Sequence, residues 1–147
     1  MMSDNEHKGL DIDWFFTNND DVAFVASGGG KLPQSITKSE EERTLLALFF
    51  RNLPVISEVI VNRDLSKFVM SAIDERYLSD FMYMTKRGLF SFDKTILNNS
   101  SDSHYHLVAA PVTQLKFDQL PDVISGILKN TIYSGNIELI MDSNFII

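Results

Sequence analysis

The sequence predicts a single α+β domain: a mainly antiparallel sheet packed against two or three helices. Three observations lead there. Short β-rich runs alternate with helical patterns that carry their own caps. A polar turn joins the first two runs as an antiparallel pair. And 147 residues, 44% hydrophobic and 22% charged, are enough for one substantial core and show no composition break that would divide it. The domain is taken as residues 1–147, with 1–9 a loose, polar lead.

The first two strands are Ile12-Asp-Trp-Phe-Phe16 and Val22-Ala-Phe-Val-Ala26, rich in aromatic and β-branched residues and split by Thr17-Asn-Asn-Asp-Asp21. Trp14, the only tryptophan, is assigned to the core. Ser27-Gly-Gly-Gly30 then lets the chain leave the hairpin sharply, because glycine accepts positive φ. Ser35 to Lys38 is read as a connection. Ser39-Glu-Glu-Glu42 has the spacing of a capping box, with three carboxylates at the positive end of a helix. Leu45, Leu46, Phe49 and Phe50 follow at helical spacing, and Pro54 closes the helix.

Further along, residues 58–62 read as a short strand and residues 64–73 as at most a turn of helix. Residues 75–87 form the second long helix, with Tyr77, Leu78, Phe81 and Met82 as its apolar stripe and Gly88 as its left-handed cap. Strands are expected at 89–92 and 105–109, separated by the polar loop 98–103. Residues 120–129 give a third helix, with Pro121 in its first turn and Val123, Ile124, Ile127 and Leu128 inward. Residues 137–141 supply the last strand.

Charge is distributed unevenly. Residues 1–42 carry nine acids against three bases, −6 of the whole chain's −7. That field disfavours direct binding to nucleic acid, which depends on lysine and arginine displacing counterions. It favours a basic protein partner through steering and complementarity. Asp11, Asp13, Asp20, Asp21, Glu40 and Glu41 are the candidate partner-binding residues on this ground. No run approaches the roughly 18 apolar residues of a membrane span, and the polar start lacks the apolar centre of a secretory signal. With zero cysteines, thiolate metal sites and cysteine nucleophiles are excluded. A cytoplasmic location is expected.

Motifs that carry chemistry are sparse. Ser27-Gly-Gly-Gly-Lys31 lacks the Walker spacing, and Leu32-Pro33 stands where Ser or Thr should open a helix. His104 and His106 share one strand face and could ligate a metal, with Asp93 and Asp102 as conceivable third ligands. Half-exposed strand histidines are the expected reading, and no cofactor or metal is assigned. Ser27 lacks the Gly-x-Ser-x-Gly frame of a hydrolase nucleophile.

Several pieces in order resemble one bacterial family. They are Ile12-Asp-Trp-Phe-Phe16, Phe24-Val-Ala-Ser-Gly-Gly-Gly30 with Leu32-Pro33, and Phe49-Phe-Arg-Asn-Leu-Pro54. Lys86-Arg-Gly-Leu-Phe-Ser-Phe-Asp93, Tyr105-His-Leu-Val-Ala-Ala-Pro111 and Asp118-Gln-Leu-Pro121 complete the set. Over residues 11–140 the string resembles small immunity proteins of polymorphic or contact-dependent toxin systems. That resemblance implies a cytoplasmic, non-enzymatic protein that occludes a cognate toxin domain, such as a basic nuclease, without fixing which residues touch it. The alternatives are a small-ligand or metal-dependent enzyme using the His104/His106 face, and an adaptor unrelated to toxins.

Overall fold

The computed structural model describes residues 12–28, 32–69, 73–95 and 103–146. Strands β1 (Asp13–Thr17) and β2 (Val22–Ala26) pair antiparallel, from Asp13 opposite Ala26 to Thr17 opposite Val22. Their turn is held by side chains. The Asn18 carboxamide oxygen accepts from the backbone N–H of Asp20 (3.1 Å) and of Asp21 (2.8 Å), while Asn19 takes the left-handed conformation at φ 73°. Trp14 to Phe16 and Val22 to Val25 are all buried, so both faces of this hairpin are covered.

A one-turn helix, α1 (Gln34–Thr37), occupies the stretch expected to be plain connection; Pro33 precedes it with φ −58°. Helix α2 (Glu40–Arg51) starts where the capping box places it, the Ser39 hydroxyl accepting from Glu42 N–H at 3.2 Å. It buries Leu46 and Phe50, while Leu45 stays 41% exposed. The short strand β3 (Val59–Val61) is followed by a single 3₁₀ turn at Leu65–Lys67. Helix α3 (Glu75–Thr85) is capped by Asp74, whose carboxylate accepts from Tyr77 N–H at 2.9 Å. It buries Phe81 and Met84, and Gly88 turns the chain at φ 97°.

Strands β4 (Phe90–Lys94) and β5 (His104–Pro111) are antiparallel, with a bulge between Ser91 and Phe92 in the register. Of the polar loop 98–103, only Ser103 lies within the described residues. Helix α4 (Asp122–Leu128) buries Ile124 and Leu128 but leaves Val123 66% exposed, contrary to its expected inward position. Strand β6 is shorter and later than expected, Ile140–Asp142, and Leu139 before it adds one bond to β5, its C=O accepting from Leu107 N–H at 2.8 Å.

The six strands form one sheet in the order β1-β2-β4-β5-β3, with β6 also on β5. All pairs are antiparallel except β2 with β4. The outer edge of β5 is shared. β6 pairs with its first half and β3 with its last, and the Asn62 amide seals the junction by donating to Leu107 C=O at 2.8 Å. Side chains alternate into two cores. Phe15, Phe24, Phe50, Phe81 and Met84 meet on the face covered by α2, α3 and α4. Trp14, Phe16, Phe92 and Tyr105 meet on the other, beneath Leu32, Ile36 and Met141. The result is the expected single-domain α+β fold.

Candidate partner-binding surface

The structure spreads the candidate acids over two ends of the molecule. Helix α2 runs antiparallel to β1, so its last residue, Arg51, reaches Asp13 at 2.7 Å. Its first turn lies beside Thr131, which is tied to Thr17 by an N–H to C=O bond of 3.2 Å. Asp13 and Thr17 are separated by four strand steps, about 13 Å. Asp20, Asp21, Glu40 and Glu41 therefore share the hairpin-turn end, and Asp13 belongs to the opposite one. Asp11 lies outside the described residues.

Asp13 is neutralised. Arg51 also binds Asp80, at 2.9 Å, and its pKa is raised by the Asp80 hydrogen bond against the opposing effect of burial. Tyr83 adds a hydroxyl bond to the Arg51 carbonyl (2.6 Å), and the Arg87 guanidinium sits 3.6 Å above the Tyr83 ring. This is a structural lock between α2, α3 and β1.

At the other end, the acids divide. Lys116 holds Asp21 at 2.9 Å and Asp20 at 3.5 Å, and the Asp21 hydrogen bond is the first cause of its raised pKa. Asp21 is largely covered, whereas the Asp20 side chain remains 71% exposed. Glu40 and Glu41 are exposed in the first turn of α2 and make no ion pair among the described residues. Their charge sits at the helix end where the backbone dipole favours it. The cleft beside them, between Ser39, Glu42, Asn130 and Thr131, has a volume of about 20 Å³, room for about one water.

Two leucines on the same helix were not among the candidate partner-binding residues. Leu45 is 41% and Leu48 58% exposed, and with Glu41 they follow one line along the outer face of α2. A signal existed. Leu45, Leu46, Leu48, Phe49 and Phe50 span too wide an arc for one buried stripe, so some had to face outward.

The histidine pair behaves differently from expectation. His106 is fully buried, stacked on Phe68 at 5.0 Å, with Nδ1 3.4 Å from the Thr95 hydroxyl and Nε2 without a hydrogen-bond partner among the described residues. Burial lowers its pKa to about 4. This overturns the half-exposed reading for His106, because Phe68 covers the ring. His104, at the strand start, is exposed and lies 3.5 Å from Asp142. Asp93 is taken by the Tyr77 hydroxyl at 2.5 Å and by Lys94 N–H at 2.8 Å. Asp102 lies outside the described residues. Among the described residues, no three His, Cys, Asp or Glu side chains gather as a metal site. Nor is any helix there long and apolar enough to cross a membrane. Gly28 has φ 53°, while Gly29, Gly30 and Lys31 fall outside the described residues. Comparison with protein-family models, with curated proteins and with solved structures returns no match for this chain.

Proposed function

We propose that this chain is an immunity-type protein that binds and occludes a basic toxin domain without catalysing a reaction, and that the outer face of α2 makes the contact. One observation carries the reading: Leu45 and Leu48 stand exposed in line with the exposed carboxylate of Glu41, and Glu40 adds its charge in the same first turn. Exposed leucines on a rigid helix can be desolvated as an anchor, while nearby acids steer and orient a cationic partner. Asp20, at the same end, extends the negative field. A nuclease fits the partner class, since its substrate groove must be cationic to hold phosphates.

The test begins with capture of the partner from the native host and reconstitution of the pair. The captured domain should be basic, and its activity should be inhibited stoichiometrically. Leu48→Asp should weaken the complex by about 10–100-fold. Reversing Glu40 and Glu41 to Lys should slow association, most strongly at low salt. Asp20→Lys should act in the same direction but less, because Lys116 already offsets that charge. Inhibition indifferent to all three changes would remove the α2 face from the interface.

A further inference from the structure

A second surface lies on β3. Val112 N–H donates to Glu58 C=O (3.1 Å) and Asn62 N–H to Val108 C=O (2.9 Å), which aims the main-chain groups of residues 58, 60 and 62 at β5. Strand alternation then turns the N–H and C=O groups of Val59 and Val61 away from the sheet. The strand itself holds no proline, bulge or charge that would blunt such an edge. Ile60 is 57% exposed at its centre, and Val112 is 57% exposed on the same face, two residues beyond Ala110, the partner of Ile60.

We propose that this edge binds a second copy of the same chain, β3 against β3, antiparallel about a two-fold axis through Ile60. In that register, Val59 of each copy exchanges both main-chain bonds with Val61 of the other. The two Ile60 residues form the closely spaced pair between them, with Cβ atoms about 4.5–5.5 Å apart. Charge selects this occupant. The strand is flanked by Glu58 on one side and Arg63 on the other; both are exposed, and neither makes an ion pair among the described residues. Two-fold pairing sets Glu58 of each copy opposite Asn62 of the other, one residue short of Arg63, so at both ends an acid meets the basic end of the facing strand. A parallel pairing would bring like charges together instead. The contact is isologous and therefore closes at two copies. It uses neither α2 nor the acidic turn, so it stands or falls separately from the inhibitory reading.

Sedimentation from roughly 1 μM to about 0.5 mM should show a monomer–dimer equilibrium of the weak, transient class. Val59→Pro removes an outward N–H and spares the β3–β5 ladder, so it should abolish the dimer while the melting temperature holds. Because the natural chain has no cysteine, Ile60→Cys should give a single disulfide-linked dimer under mild oxidant, with Val112→Cys lagging well behind. A wild-type chain that remains monomeric at about 0.5 mM overturns the proposal and leaves the edge to an extended segment of another protein. Open-ended aggregation in place of a closed dimer, or a dimer untouched by Val59→Pro, overturns it as well.

Discussion

The two faces of the sheet are filled by similar residues and covered by dissimilar chain. On one face, Phe50, Phe81 and Met84 arrive from two helices of eleven and twelve residues. On the other, Leu32 and Ile36 come with the one-turn α1, and Tyr133, Ile137 and Met141 come from the irregular C-terminal stretch and β6. Rings knit both faces, Phe15 lying 5.7 Å from Phe24 and 4.7 Å from Phe50 on the helical one. Trp14 meets Tyr105 edge-on at 5.8 Å, and Phe16 contacts Trp14, Phe92 and Tyr133 at 5.6–5.9 Å. Such pairs add about 0.5–1.5 kcal/mol each beyond burial. The helical cover is placed by its periodicity, while the irregular cover is assembled from separate stretches of chain.

Removing one cover residue from each face tests this most strongly. Phe50→Ala should cost about 3–5 kcal/mol, because α2 is pinned at both ends and cannot sink into the cavity. Ile36→Ala should cost about 2 kcal/mol, since a single turn can settle inward. Denaturant titration followed by Trp14 fluorescence and by helical circular dichroism reads the second face and the helices separately. If the two transitions diverge in the wild type, the cores do not unfold as one unit. Equal losses for the two substitutions would break the comparison.

Glycines give the next largest effect. A Cβ on Gly88 would lie 2.6 Å from Leu115 N and 2.9 Å from Ile56 Cδ1, at a backbone φ of 97°. Gly88→Ala should therefore cost about 2–4 kcal/mol, combining strain with overpacking on the helical side. Gly28→Ala, at φ 53°, should cost about 1–2 kcal/mol from backbone strain. Melting curves of the two variants decide whether the tighter constraint sits under the helices.

Acid should act through the helical side. With its folded pKa near 4, below the ordinary 6.5, His106 is neutral in the native state. Unfolding lets it take up a proton, so its contribution is complete above pH 6.5 and falls away as the pH drops toward 4. The loss should reach up to about 3 kcal/mol at pH 4, and His106→Phe, which can keep the stack on Phe68, should remove that part of the slope. Identical stability–pH curves for the wild type and this variant would show that burial of His106 carries no acid sensitivity.

What could be read in the sequence follows the same division. The hairpin, both long helices and the cap at Ser39 were legible, because each is set by local chemistry: turn residues, capping side chains and periodic apolar positions. Helix α1 was not, since four residues are too few to show a period. The last strand was misplaced because Ile137, Leu139 and Met141 alternate like a strand, yet Ile137 packs in the second core and bonding to β5 begins only at the Leu139 carbonyl. The partner surface was half legible. Charge pointed to Glu40 and Glu41, but nothing local distinguished them from Asp13, which a distant arginine neutralises. Leu45 was counted with the helix's apolar positions, and Leu48 fell outside that set with nothing local to mark it.

The parallel pairing of β2 with β4 has a consequence for the order in which the chain acquires its structure. Ala23 and Phe90, neighbours in that ladder, are 67 residues apart along the chain. The β1–β2 hairpin closes over four residues and the helices need only their own turns, so these form early, on microsecond scales. Bringing β4 to β2 must close the long loop that carries α1, α2, β3 and α3 before any of its contacts are gained. A ladder of that sequence separation should slow folding relative to a domain built from local contacts alone. Until it is complete, the apolar sides of β1 and β2 stand open to water, and the unpaired edge of β2 is the point at which a nascent chain is most exposed to wrong pairing.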